Sequence, residues 1–333
     1  MSHEICATYR LQLHSDFGFT EAAAIADYLA MLGVSHVYCS PYLQAAPGST
    51  HGYDVVNPHR VNDELGGTEA HARFCETLKA HGLGQVLDIV PNHMAISGSE
   101  NPWWWDVLEN GPSSRYAAYF DVDWDPPETR LSNTVLLPVL GDHYGRVLEA
   151  GEIRLRREDS VFTMRYHDHA FPVGPRSLDT ILARAAEHCP SDELAFLADA
   201  HARLPLATAT DWVSVRRRHR DKEVLRGHLA RLLKDRPEVA AGIDAVVAEV
   251  NASADALDAL LDRQNYRLAF WRTAGRDLGY RRFFDINTLI GLRTEDERVF
   301  ADTHVLILGW ANAGMLGGGR LLPCVPHLRA SGA

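Results

Sequence analysis

Between Ala7 and Val90 the hydrophobic pattern switches from period two to period 3.6 and back, twice. Ala7 to Leu13 alternates in character and predicts a first strand. Thr20 can cap a helix with Ile25, Ala26, Leu29 and Leu32 on one face, and Gly33 ends it. Val34 to Ser40 predicts a second strand. Thr68 caps a second helix with Phe74 and Leu78 on its apolar side, closed by Gly82. Val86 to Val90 is almost continuously apolar, which suits a parallel strand buried on both faces. Strand, helix, strand, helix, strand is the opening of a parallel α/β fold, whose sites form beyond the carboxyl ends of the strands.

The alternation then breaks. From Met94 to about Gly174 the chain is rich in Trp, Pro and Gly, with short alternating runs at Glu152 to Arg156 and Ser160 to Tyr166. From Ser177 to Leu278 it reads as helical, with apolar stripes such as Leu225, Leu229, Leu232 and Leu233. A helix with Val299, Phe300, His304 and Leu308 along it returns at Glu295 to Ala313. The expected organisation is therefore a first α/β part over 1–93, an inserted irregular, β and then helical part over 94–280, a return over 281–316, and an aberrant tail over 317–333. A closed barrel needs eight strands and roughly 250 residues. The fold class expected is α/β, an incomplete (β/α)8 barrel with strands one to three and at most the start of a fourth, carrying a long excursion after strand three.

Composition narrows the partners. Of 333 residues 46% are hydrophobic, enough for a large core, and the net charge is −11. That balance argues against nucleic acid. The basic run Arg216 to Arg220 is followed by Asp221 and Glu223 and reads as a solvated helix face. Met1 to Glu4 lacks the basic and apolar pattern of a secretory signal, and no apolar run approaches the ~18 residues of a membrane span. Five cysteines without a C-x-x-C pair fit reduced thiols, so a cytoplasmic location is expected, without membrane attachment.

Two short strings follow predicted strands and carry the chemistry. In His51-Gly52-Tyr53-Asp54 the tyrosine ring can stack on a pyranose while His51 and Asp54 hold hydroxyls or a partner arginine. In Asp88-Ile89-Val90-Pro91-Asn92-His93 an acid inside an apolar strand must be paired to be buried at tolerable cost. Proline then ends the strand, and Asn92 and His93 stand at its mouth, where a neutral imidazole can donate to a sugar hydroxyl. Asn101-Pro102-Trp103-Trp104-Trp105 gathers three of the seven tryptophans. Some of these serve the core, and one or two facing a cleft would form a stacking wall. Asp121, Asp123 and Asp125 begin like a calcium loop, yet Pro126 stands where its glycine is required, and no metal site is expected.

These strings resemble two signature regions of the α-amylase superfamily of glycoside hydrolases. Longer strings resemble one branch of it, the maltooligosyltrehalose synthases. They are Thr8-Tyr9-Arg10-Leu11-Gln12, Ser40-Pro41-Tyr42 through His51, Leu136 to Gly141, and Tyr280-Arg281-Arg282-Phe283-Phe284-Asp285-Ile286-Asn287. The resemblance implies a (β/α)8 barrel acting on the reducing end of an α-1,4-glucan and converting its last linkage to α,α-1,1. It implies a maltooligosaccharide substrate and no cofactor. It makes Tyr53, His93, His51 and Trp103 substrate-binding, and Asp54, Asp88, Asn92 and Arg320 organisers of the site. The family's nucleophile lies in a Gly-x-Arg-x-Asp string, where this chain has Gly318-Gly319-Arg320-Leu321-Leu322 and no later Asp or Glu. No residue is assigned as catalytic. The expectation is an N-terminal portion, cut short and inactive alone. The alternatives are another hydrolase or glucosyltransferase of the superfamily, or a non-catalytic glucan-binding remnant.

Overall fold

The structure, a computed structural model, describes residues 5–96, 99–275 and 278–316. It divides into two compact units, one of Met1–Asn101 with Arg282–Ala333 and one of Pro102–Arg281. In the first, β1 (Thr8–Leu11) is followed by two short helices, α1 (Phe19–Ala24) and α2 (Ala26–Met31), where one was expected. The break falls at Ile25, whose ψ of 6° takes it out of helical geometry. The helical entry is Gly18, whose N–H donates to the Glu21 carboxylate at 2.9 Å. Then come β2 (His36–Cys39), the hairpin of β3 (Leu43–Ala45) and β4 (Val55–Val61), and α3 (Gly67–Ala80). β5 (Gly84–Leu87) completes a parallel sheet in the order β1-β2-β5, with Cys39 aligned to both Leu11 and Leu87. The core formed with the helices includes Leu11, Phe19, Leu29, Val37, Phe74 and Leu87, none more than 5% exposed. A short β6 (His93–Ala95) follows.

The second unit starts with α4 (Pro102–Asn110) and continues through β7 (Val135–Leu140) and α5 (Tyr144–Glu149). The two alternating runs of the sequence form β8 (Ile153–Glu158) and β9 (Val161–Tyr166), an antiparallel pair joined by β10 (His169–Pro172). Five helices succeed them: α6 (Leu178–His188), α7 (Asp192–Ala202), α8 (Trp212–Asp235), α9 (Pro237–Asn251) and α10 (Ala254–Leu261). The helical stretch expected to reach Leu278 ends at Leu261. Tyr266–Phe270 is instead a strand, β11, lying parallel to β7 with Tyr266 opposite Val135.

The chain re-enters the first unit through β12 (Arg282–Phe283) and β13 (Ile286–Gly291), and β13 pairs antiparallel with β6. Helix α11 (Glu297–Asn312) closes the described chain, capped by Asp296 and seating Ile307 in the core. Its Trp310 ring packs 4.7 Å from His71 and 5.4 Å from Tyr42. Among the described residues no helix is long and apolar enough to cross a membrane. The tail over 317–333 lies outside the described residues.

Candidate functional site

Asp88 follows β5, in an environment that leaves it 8% exposed. A carboxylate so placed is costly unless its oxygens are met, and two groups meet it. Arg10 in β1 donates through Nη1 to Oδ2 at 3.1 Å, and the Tyr53 hydroxyl donates to the same oxygen at 2.5 Å. Arg10 Nη2 also reaches the Tyr53 oxygen at 3.1 Å, closing a three-membered network. The guanidinium lies 4.6 Å from the centre of the Tyr38 ring in β2. Burial, and after it the Asp88 carboxylate, raises the Tyr53 hydroxyl above its ordinary pKa, so it remains a donor. The network fixes the tilt of the half-buried Tyr53 ring.

The loop bearing Tyr53 is fixed from below. Gly52 has φ +76°, and a Cβ there would sit 2.2 Å from the Pro41 carbonyl oxygen. No other residue fits that turn. The Asp54 carboxylate accepts from Ser49 Oγ and lies 3.7 Å from His51 Nδ1. His51 Nδ1 accepts the Tyr53 N–H at 3.0 Å, leaving the exposed imidazole edge beside the tyrosine, ring centres 6.0 Å apart. His51 and Tyr53 are thus the open members of the site, and Asp54 and Asp88 its fixed floor. Such a surface offers a sugar one ring face and hydroxyl partners at its margin.

His93 departs from expectation. It is 2% exposed, its ring is stacked on Phe283 at 3.8 Å, and burial pushes its pKa down to about 4. A neutral imidazole has one N–H and one lone pair. Here Nε2 lies 3.0 Å from the Tyr53 carbonyl oxygen and Nδ1 2.9 Å from Asn92 Oδ1. Both oxygens accept, so the single N–H is spent on one of them and none is left to donate to a sugar hydroxyl. In this arrangement His93 sits between the Tyr53 backbone and Asn92.

Comparison with known proteins bears on the chain's family. The α-amylase catalytic-domain family matches residues 23–145. A Mycobacterium tuberculosis protein provisionally named maltooligosyl trehalose synthase is 33% identical over 327 residues. That alignment covers 96% of this chain and 31% of the relative. Over nearly its whole length the chain is similar to the maltooligosyltrehalose synthases of the α-amylase superfamily. Solved maltooligosyl trehalose synthase structures support an amylase-type β/α fold. One matches with a TM-score of 0.63 at 31% identity, covering 92% of this chain and 30% of the other. The Arthrobacter ramosus synthase gives 0.62 at 32% identity, covering 93% and 30%. This chain thus spans about a third of the length of the branch members it matches.

One further assignment changes. Trp103 does not wall a cleft. It is 3% exposed in the second unit, stacked on Tyr116 at 5.1 Å and edge-on to Tyr119 at 5.2 Å. Its faces are spent on aromatic packing, as a large indole in a short amphipathic helix tends to be. Trp104 is equally buried, against Phe120. Arg320 lies outside the described residues. The residue that sequence reasoning missed is Arg10. The available signal was a lone cation in the first strand of the sheet that carries the buried Asp88 at its end.

Proposed function

We propose that this chain forms the sugar-binding floor of a maltooligosyltrehalose synthase. Its ligand on this reading is the reducing-end region of an α-1,4-glucan, and the reaction of the branch moves the last linkage to α,α-1,1. The reading rests above all on the Arg10–Asp88–Tyr53 network, which fixes an aromatic ring at the carboxyl end of a parallel sheet. Tyr53 stacks against the pyranose, His51 meets a hydroxyl at its margin, and Asp54, Asp88, Asn92 and His93 hold those two in place. A retaining displacement also needs a carboxylate nucleophile and a carboxylic acid on either side of the scissile bond. At this site Asp88 is engaged by Arg10 and Tyr53, and Asp54 by Ser49. The chain therefore binds and orients, in a cytoplasmic setting, and the bond-breaking carboxylates belong elsewhere in a synthase of this branch.

Titration calorimetry of the 333-residue chain with maltopentaose tests this. Saturable heat, weakened at least about tenfold by Tyr53→Ala, is the expected result. An absence of binding, or binding untouched by that substitution, removes the floor reading. A superfamily hydrolase is the rival at the level of reaction. Product analysis of a longer protein carrying these residues separates the two, with trehalose-ended oligosaccharide expected rather than free glucose and maltose.

A further inference from the structure

The second unit contains a cavity of about 280 Å³ between α4, the β9–β10 strands and helices α6 to α8. Its lining includes the apolar Trp105, Phe162, Pro172, Val173 and Leu229. The charged Asp106, Glu109, Lys222, Glu223 and Arg226 line it too. Lys222 and Glu109 are almost fully buried, at 5% and 6% exposure. The charges are already matched to one another. Lys222 Nζ donates to Glu109 and, at 3.3 Å, to Asp106 Oδ1. Arg226 donates to Glu109 Oε1 at 2.5 Å and to Glu223 Oε1 at 2.8 Å. Asp106 Oδ2 also accepts from Ser114 Oγ at 2.6 Å. An anion would find no unpaired cation here, and a cation would have to displace Lys222 or Arg226. A neutral molecule can use the remaining donor and acceptor positions without separating any pair.

A second observation says what kind of neutral molecule. His201 lines the same cavity and is 2% exposed. Its Nδ1 lies 2.8 Å from the Leu197 carbonyl oxygen of its own helix, which can only accept, so Nδ1 carries the proton. Nε2 is then a lone-pair acceptor with no protein hydrogen-bond partner among the described residues. Burial lowers the pKa of this imidazole, keeping it an acceptor at neutral pH. An acceptor left without a protein partner on a residue that lines a cavity can take an O–H or N–H donor. The apolar lining with Trp105 calls for a ring face. The volume sits just under the about 300 to 1,000 Å³ typical of drug-sized ligand pockets, which suits a small ring.

We propose that this cavity is a second sugar site, taking a neutral monosaccharide whose hydroxyl donates to His201 Nε2 and whose ring lies against Trp105. It is independent of the Tyr53 site, and the test keeps the two apart. The 333-residue chain is titrated with glucose by calorimetry, and hydrogen exchange is mapped with and without glucose. Expected are saturable binding and slowed exchange in α4 and α8. Tyr53→Ala should leave this binding within about twofold, and Trp105→Leu and His201→Leu should each weaken it at least about tenfold while keeping the near-ultraviolet dichroism. Should either variant fail to fold, the exchange map of the unsubstituted chain decides. The proposal is overturned if glucose slows no exchange in α4 or α8, or if binding is lost with Tyr53→Ala and survives both cavity substitutions.

Discussion

Asp88 and Tyr53 divide the work at the first site between a buried charge and a ring, and substitution can separate the two. Tyr53→Phe keeps the ring and deletes one donor to a carboxylate that is 8% exposed. Losing one hydrogen bond to a buried charged group costs about 1.5–3 kcal/mol. We therefore expect an unfolding free energy from chemical denaturation lowered by that amount, with maltopentaose affinity within a few fold of the parent, in contrast to Tyr53→Ala. Equal loss of affinity in both variants would mean that the hydroxyl, not the ring, binds the sugar. The histidines set a pH dependence. Burial lowers His71 and His93 to about 4, against about 6.5 in an unfolded chain. Below pH 6.5 the unfolded chain takes up protons that the native chain refuses until about pH 4. Stability is therefore complete above pH 6.5 and falls between 6.5 and 4, by on the order of 3 kcal/mol for each. Melting temperature measured across that window should drop steeply, and a flat profile would show that neither ring is buried neutral. That Asp88 needs a partner was readable from its apolar neighbours. That His93 is used up by Tyr53 and Asn92 was not, because β6 is buried by a strand almost two hundred residues later in the chain.

Elements announced themselves wherever a local period ran long enough. The three parallel strands, α3 and α11 were legible because their apolar spacing lies within a few residues, although α3 is entered at Gly66 and not at the Thr68 cap expected. Two things were not. The single helix expected from Thr20 breaks at Ile25, which serves as the end of α1 and the start of α2. The β7–β11 pair joins segments about 130 residues apart, so no window of sequence contains the reason for either strand. The helix caps of the second unit make a quantitative case. Ser253 accepts from Ala256 N–H at 3.2 Å as the cap of α10. Ser191 caps α7 by accepting from Leu194 N–H at 3.3 Å and also takes a 3.2 Å bond from Arg236, which leads into α9. An N-cap serine is worth about 1 kcal/mol. Ser253→Ala should cost about that much in urea denaturation and Ser191→Ala measurably more, since it also frees α9. The reverse order would argue against Ser191 as a tie between the helices.

At the scale of the molecule, the proposed floor at Tyr53 offers, among the described residues, a surface to bind without the reactive pair that a retaining transfer requires. Retaining glycosidases hold two carboxyl groups about 5–5.5 Å apart across the scissile bond, one bare enough to attack and one able to give up a proton. At the Tyr53 site neither available acid meets that description. Asp88 faces a permanent cation in Arg10 and a donor in Tyr53, and Asp54 is drawn down onto Ser49 within its own loop. An acid whose lone pairs are committed to fixed donors is a weak nucleophile. Asp285, in the string shared with the branch, is fully open to solvent and already near Arg282 at 3.2 Å. It lacks the enclosure that makes a carboxylate reactive toward a sugar in preference to water. Incubation of the purified 333-residue chain with maltopentaose should therefore leave no trehalose-ended product on anion-exchange chromatography, even where calorimetry shows that the oligosaccharide is bound. Turnover that survives repurification and disappears with Asp285→Asn would make that exposed acid the nucleophile. Turnover lost with Asp88→Asn, in a chain that still folds, would instead show that the Arg10–Tyr53 network is an activating device and not a structural one.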